Sequence, residues 1–184
     1  MPLNPTSTLQ EQILIHKNLL PTTLCDEIIE EYRNDSFIFG EHPTSVEQRN
    51  LHELNISSPE VINLKNSYAR KLIDTKIYES LDPIRESHGE ISAYQDTGYS
   101  LRKMEKGQFY TEHTDQGASI PWQLTCSIIL FDQYTGGEFC FFNRALCYQL
   151  EKGDAISFPS NFMYPHEISE VTSGVRYVIV TWFY

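Results

Sequence analysis

After Pro21, which can occupy a first helical turn, Leu24, Ile28 and Tyr32 recur every four residues and predict an amphipathic helix. Ser57, Ser58, Pro59 and Glu60 mark a second helix start, with a serine cap, a proline in the first turn and an acid near the positive end. Val61, Leu64, Tyr68 and Leu72 give that helix one apolar face, and it is expected to run to about Tyr78. Residues 34–56, between the two, show weak periodicity and are expected to form an irregular connection.

The character of the chain changes near residue 90. Apolar runs suited to strands cover 91–97, 99–105, 108–115, 123–131, 137–143, 145–150, 154–159 and 174–183. Turn signals separate them at 96–98, 106–107, 135–137, 152–154 and 173–174. Many short strands at this spacing argue for a sandwich or barrel, and helices placed before a sheet become supports for one of its faces. The expectation is a mainly β (α+β) fold in one domain over 1–184, with helical support in 1–90 and a β core in 91–184.

Composition narrows the partners. A chain of 184 residues can bury a sizeable core without disulfides or a structural metal. Its net charge of -11 opposes nonspecific binding to nucleic acid or anionic lipid, so neither is expected as a partner. The N-terminal stretch lacks the basic segment and apolar run of a secretory leader, and no run of 18 apolar residues occurs. Cys25, Cys126, Cys140 and Cys147 form no CxxC and are expected as free buried thiols. Together these features point to a soluble, cytoplasmic protein in a reducing compartment.

Three residues could share a metal. On a strand, residues two apart point the same way, so His113 and Asp115 can approach one ion from one edge. His166 follows the strand-like run that ends at Phe158 and Pro159, and a fold returning it beside His113 would complete two imidazoles and a carboxylate. Such a set occupies one face of an octahedral ion and leaves positions open, as non-haem Fe(II) oxygenases require, although Zn(II) suits the same ligands. His16, His42, His52 and His88 have no comparable context and read as surface or loop residues. Arg176, ten residues after His166, interrupts an apolar strand. It is a surface residue, an ion-pair partner, or the anchor for a small carboxylate, whose geometry guanidinium matches.

In order along the chain stand 106–115 (Lys-Gly-Gln-Phe-Tyr-Thr-Glu-His-Thr-Asp), Leu130 through Gly136, Gly137 and Glu138, then 153–160, His166, and Gly174 through Tyr177 with Trp182. This order resembles the catalytic core of the Fe(II)/2-oxoglutarate-dependent dioxygenases, in the prolyl 4-hydroxylase-like group, over about residues 90–184. The resemblance implies a double-stranded β-helix, or jelly roll. It assigns His113, Asp115 and His166 to Fe(II) and Arg176 to the far carboxylate of 2-oxoglutarate. Dioxygen is the second cosubstrate, and ascorbate is a further cofactor the resemblance allows.

The chain also departs from the family pattern. Met104 stands where many relatives carry a tyrosine, Ile129 where some carry the tyrosine that assists the far carboxylate, and Val180 where some carry threonine. Thr125 or Ser127, on the same strand face as Ile129, is the expected replacement hydroxyl, and Tyr110 is expected to wall the pocket. Trp122, Phe131, Tyr134 and Trp182 either line a substrate groove or pack in the core, and Phe162, Met163 and Tyr164 flank a proposed ligand. The expected activity is hydroxylation, with a prolyl residue in a peptide or protein as leading substrate. A free amino acid or other small metabolite is the alternative, and a noncatalytic metal-binding jelly-roll module is the rival from outside enzymology. Oligomeric state is not legible.

Overall fold

The computed structural model describes residues 9–36, 38–39, 49–63, 67–88, 95–117 and 121–184. Its helices are α1 (Thr22–Tyr32), α2 (Pro59–Ile62), α3 (Ser67–Ser80) and α4 (Asp82–Ser87). The early strands are β1 (Leu14–His16), β2 (Ile38–Phe39), β3 (Arg49–Asn50) and β4 (His52–Asn55). Then come β5 (Ser100–Glu105), β6 (Phe109–His113), β7 (Leu124–Phe131), β8 (Tyr134–Gly136) and β9 (Phe139–Phe141). The last are β10 (Leu146–Tyr148), β11 (Ala155–Pro159), β12 (His166–Ile168) and β13 (Val171–Phe183).

These strands form two antiparallel sheets. The larger runs β1-β11-β7-β13-β5-β4-β2, with β8 also pairing β13, and the smaller runs β10-β9-β12-β6-β3. Strand alternation divides the larger sheet into two buried faces. Leu124, Cys126, Ile128 and Leu130 of β7 and Ile179 and Phe183 of β13 pack with Leu24, Ile28, Tyr32, Ile73 and Ile77 of the helices. The opposite face presents Met104, Ile129, Ile156, Val178 and Val180 to Tyr110, Phe139, Phe141 and Ile168 of the smaller sheet. Burial on both faces explains why β7, β11 and β13 read as nearly continuous apolar runs. The arrangement is the expected mainly β jelly roll supported by helices.

The helices are held to each other by charge as well as by packing. Arg70 of α3 is fully buried, with ion pairs of 2.8 Å to Glu31 and to Asp35 and its guanidinium 4.7 Å from the Tyr32 ring centre. Removing either acid would leave a buried cation short of a partner, which is why so polar a residue is stable there.

Several sequence expectations change. The described part of 34–56 contributes β2, β3 and β4, which add two to four residues each to sheet edges and are too short to show a period. The described part of the second helix divides into α2, with Asn63 as its C-cap, and α3 from Ser67. Arg70, Ile73 and Ile77 face inward, whereas Tyr68 and Leu72 are exposed. Leu64, His42 and residues 91–94 of the expected first strand lie outside the described residues. Turns and loops were expected around 135–137 and at His166, yet these carry β8 and β12, and β13 begins three residues early at Val171.

The cysteines also divide. Cys140 and Cys147 are direct cross-strand partners in the β9–β10 hairpin with Cα atoms 4.1 Å apart, and they form a disulfide. Only Cys25 and Cys126 remain free and buried, where burial pushes their thiols up to about 11 and about 12. The disulfide removes the thiol-based ground for expecting a reducing compartment. His88 is buried rather than superficial. Its Nε2 and that of His16 lie 3.0 and 2.8 Å from the Ser157 hydroxyl. Among the described residues, no helix is long and apolar enough to cross a membrane.

Candidate active site

β6 and β12 are neighbours in the smaller sheet, and their register sets His113 directly opposite His166. β6 ends at His113, so Asp115 reaches the site from the bend beyond the strand rather than from its pleat. The backbone N–H of Gln116 donates to the Ser160 carbonyl (2.9 Å), tying that bend to the end of β11. One ligand atom from each of His113, Asp115 and His166 lies within 4.8 Å of the others. Asp115 Oδ1 is 3.5 Å from His113 Nε2, and Oδ2 is 3.7 Å from His166 Nε2.

Both imidazoles are oriented the same way. His113 Nδ1 donates to the Thr111 carbonyl (2.9 Å) and His166 Nδ1 to the Tyr164 carbonyl (3.1 Å). A proton committed to Nδ1 leaves the Nε2 lone pair of a neutral ring facing the carboxylate, the form a metal requires. Ring packing fixes the planes. Tyr110 stacks on His113 at 3.6 Å between centroids, while Phe139 stacks on His166 at 5.2 Å and Phe158 meets it edge-on at 4.8 Å.

Charge follows from this packing. Burial lowers His166 to about 4 against the opposing pull of Asp115, so the ring is neutral. Burial opposes the charge of Asp115, but the adjacent imidazoles and the Thr125 hydroxyl outweigh it and hold the carboxyl below the usual carboxylate range. Two imidazole nitrogens and one carboxylate oxygen converge with open space on one side, a donor set that fits Fe(II).

Arg176 lies in the same pocket, on the larger sheet. Strand alternation aligns it with Val178, Val180 and Trp182 on the face toward the smaller sheet. It is 2% exposed, and burial lowers its pKa against a hydrogen bond to Tyr134. Met104 accepts from one terminal nitrogen at 3.6 Å, and Nε has no partner. The Ser127 hydroxyl, buried in the same pocket, also has none. Buried groups of this kind are costly unless something else satisfies them. A guanidinium and a hydroxyl, both with unused capacity, fit a carboxylate of 2-oxoglutarate. Gly137 makes room for that arginine: at φ +62 it passes so close that a Cβ would lie 2.9 Å from Arg176 Cδ.

The other expected residues are placed as follows. Tyr110 does line the pocket. Thr125 lines it too, but its hydroxyl goes to Asp115 Oδ2 (2.6 Å) and Ser160 (2.8 Å), not toward Arg176. Trp182 stacks on Trp122 at 4.1 Å, and Phe162 and Met163 are exposed in the segment before β12. Tyr134 as a neighbour of Arg176, Ser160 as a neighbour of Thr125, and Arg102 in the pocket lining were not expected. Arg102 had a visible signal, because it shares strand parity with the inward Met104.

Residues 99–184 match the family model for the 2OG-Fe(II) oxygenase superfamily. A PKHD-type hydroxylase of Prochlorococcus marinus (strain MIT 9215) is 27% identical over 98% of this chain and 74% of its own length. A PKHD-type hydroxylase of Rippkaea orientalis is 36% identical over 44% of this chain, and the chain spans only 39% of that relative. In structure, a Trichoplax adhaerens prolyl hydroxylase in complex with a hypoxia inducible factor peptide aligns with TM-score 0.75 at 18% identity, covering 97% of this chain and 86% of that one. The viral collagen prolyl hydroxylase of Paramecium Bursaria Chlorella virus-1 aligns with TM-score 0.72 at 18% identity, covering 94% and 95%. These structural likenesses establish the shared fold. Residues 99–184, which carry the converging histidines, aspartate and buried arginine, are thus the part of the chain that matches the 2OG-Fe(II) oxygenase superfamily, and the chain as a whole shares the fold of the prolyl hydroxylases.

Proposed function

We propose that this chain is an Fe(II)- and 2-oxoglutarate-dependent hydroxylase whose substrate is a prolyl residue in a peptide or protein. The observation that carries the reading is the pairing, in one pocket, of the His113–Asp115–His166 set with the buried Arg176. His113, Asp115 and His166 would hold Fe(II), and Arg176 the far carboxylate of 2-oxoglutarate. Bound iron and cosubstrate would supply the oxidising chemistry: 2-oxoglutarate, dioxygen and a C–H bond become succinate, carbon dioxide and a C–OH bond.

The chain's own residues then orient and exclude. Arg176, with Ser127 and Tyr134 nearby, fixes the cosubstrate's depth and gives its carboxylate donors in a dry site, where each counts for more than in water. Met104, Val178 and Val180 surround that end with apolar surface. Tyr110, Phe139 and Phe158 keep the imidazoles from turning. The stacked Trp122 and Trp182 and the exposed Phe162 and Met163 offer apolar contacts to a peptide. The Trichoplax neighbour, a prolyl hydroxylase seen with a peptide, supports this choice of substrate.

One observation favours a second reading. Arg102 lines the same pocket with its guanidinium 5.3 Å from the Trp182 ring centre, a position suited to the carboxylate of a free amino acid or small metabolite.

Anaerobic titration of metal-free protein with Fe(II) and 2-oxoglutarate is the test of the site. A visible charge-transfer band needing both additions is expected, and its absence from folded protein rules the proposal out. Mass spectrometry then separates the substrates. A gain of one oxygen on proline-containing peptides supports the first reading, and a gain only on free amino acids supports the second.

A further inference from the structure

We infer that Thr125, backed by Ser160, is a positioning residue that holds Asp115 to one-oxygen coordination of the metal; the inference rests on the iron site proposed above. The hydrogens can be counted. A carboxylate that ligates a metal brings no hydrogen to its contacts, so Asp115 can only accept there. Thr125 has a single hydroxyl hydrogen, and the 2.6 Å contact to Asp115 Oδ2 uses it. The 2.8 Å contact between the Thr125 and Ser160 hydroxyls must then use the hydrogen of Ser160. The result is a one-way chain, Ser160 to Thr125 to Asp115, in which each bond polarises the next.

Its placement is rigid. Thr125 is 2% exposed and Ser160 1%. β7 carries Thr125 between β11 and β13, with Phe158 and Trp182 as its register partners. Ser160 donates its N–H to the Gln123 carbonyl (3.0 Å) and accepts from Gln116 N–H (2.9 Å), so it bridges the residue after Asp115 to the entry of β7. Asp115 itself lies past the end of β6 and has no ladder to orient it. The larger sheet therefore steers a ligand that the smaller sheet delivers. Both oxygens face the imidazoles, Oδ1 3.5 Å from His113 Nε2 and Oδ2 3.7 Å from His166 Nε2, but Oδ2 is engaged by Thr125, which leaves Oδ1 as the oxygen for the metal. A carboxylate that used both oxygens would take up a position the cosubstrate needs.

The test uses Thr125→Val, which keeps the shape and deletes the hydroxyl, with Thr125→Ser and Ser160→Ala. Mn(II) affinity is measured anaerobically by calorimetry, and the Fe(II)/2-oxoglutarate band is recorded at saturating metal. Thr125→Val is expected to weaken Mn(II) binding about 10- to 100-fold, the usual cost of losing a group that orients a metal ligand, and to lower or shift the band. Thr125→Ser should restore both. Ser160→Ala should weaken Mn(II) about threefold or more, and it carries the test alone if Thr125→Val does not fold. Wild-type affinity and band in Thr125→Val, or in Ser160→Ala where that variant stands alone, overturn the positioning role and leave the iron site standing. Wild-type protein that binds no Mn(II) overturns both.

Discussion

The two sheets hold their functional residues by different means. Arg176 and Ser127 project from a sheet covered on both faces, with Ile179 and Ile128 packed beneath the helices and Val178 and Ile129 packed toward the pocket. His113 and His166 project from a sheet whose outer side carries Glu112, Glu138, Arg144 and Glu167, half-buried or exposed. There the ties are local. Asn143 N–H donates to Glu112 (2.6 Å), Arg144 bridges Glu167 (2.6 Å) and Glu138 (3.4 Å), and the disulfide closes the hairpin. The proposed carboxylate-binding end is thus preorganised by a sheet buried on both faces, and the proposed metal-binding end by ring packing within the pocket and by individual contacts outside it. The two ends should fail separately.

The most damaging changes should show that separation. Asp115→Ala is expected to weaken Mn(II) binding more than about 100-fold, beyond the range for groups that merely orient ligands. Arg176→Met should leave Mn(II) binding at the wild-type level and raise the KM for 2-oxoglutarate about 10- to 100-fold, the cost of a lost hydrogen bond to a charged group. Calorimetry on both variants, with steady-state kinetics on the second, checks the pair. Equal loss of metal affinity in the two would show that the ends are one coupled site.

The same contrast governs what could be read from the sequence. β7, β11 and β13 were legible because burial on two faces leaves an apolar residue at nearly every position. β12 was not, since its three residues become a strand only by lying between β6 and β9. The face of α3 was misread because buried Arg70, on its inward face, depends on Glu31 and Asp35, 39 and 35 residues away. His113, Asp115, His166 and Arg176 were visible as an ordered motif, not from periodicity. The partner of Thr125 was hidden, because alternation gives a side chain's face and not the atom it meets there.

Acid should unsettle the helix-covered side through His88. Burial lowers His88 to about 4, with His16 adding to the shift, and His16 is itself lowered by burial. Below pH 6.5 the unfolded chain takes up a proton that folded His88 refuses. The contribution of His88 is therefore intact above pH 6.5, falls as pH drops, and levels off below about pH 4. The loss attributable to His88 is at most about 3 kcal/mol. Urea midpoints from pH 8 to 4 should fall less steeply for His88→Gln than for wild type. Parallel slopes would mean that His88 is already charged in the fold.

A smaller effect is expected at the hairpin. Replacing Cys140 and Cys147 together by serine opens a short loop, and chain entropy sets the cost near 2 kcal/mol. Chemical denaturation of the double variant measures it. Phe141, the register partner of His166, lies next to Cys140, so Mn(II) affinity recorded alongside reports whether the loosening reaches the metal ligand. A wild-type denaturation midpoint would mean that the remaining ties hold the hairpin unaided.

The smallest effect has the most informative sign. Arg144 is half exposed, and its pairs with Glu167 and Glu138 are worth at most about 1 kcal/mol together. Its backbone is left-handed at φ 63, following Phe142 and Asn143 at φ 55 and 54. A side chain there costs about 1–2 kcal/mol that glycine avoids. Arg144→Ala loses the ion pairs and keeps the backbone cost, so it should destabilise by about 0.5–1 kcal/mol. Arg144→Gly loses the same pairs but relieves the backbone, so it should match or exceed wild type despite the looser unfolded chain. Glycine above alanine in equilibrium denaturation would show that the turn is held against its own preference by the strands around it. Alanine above glycine would mean that the hairpin tip relaxes out of the left-handed conformation in solution, and that the ties from Asn143 to Glu112 and from Arg144 to Glu167 do not brace the strands that carry His113 and His166.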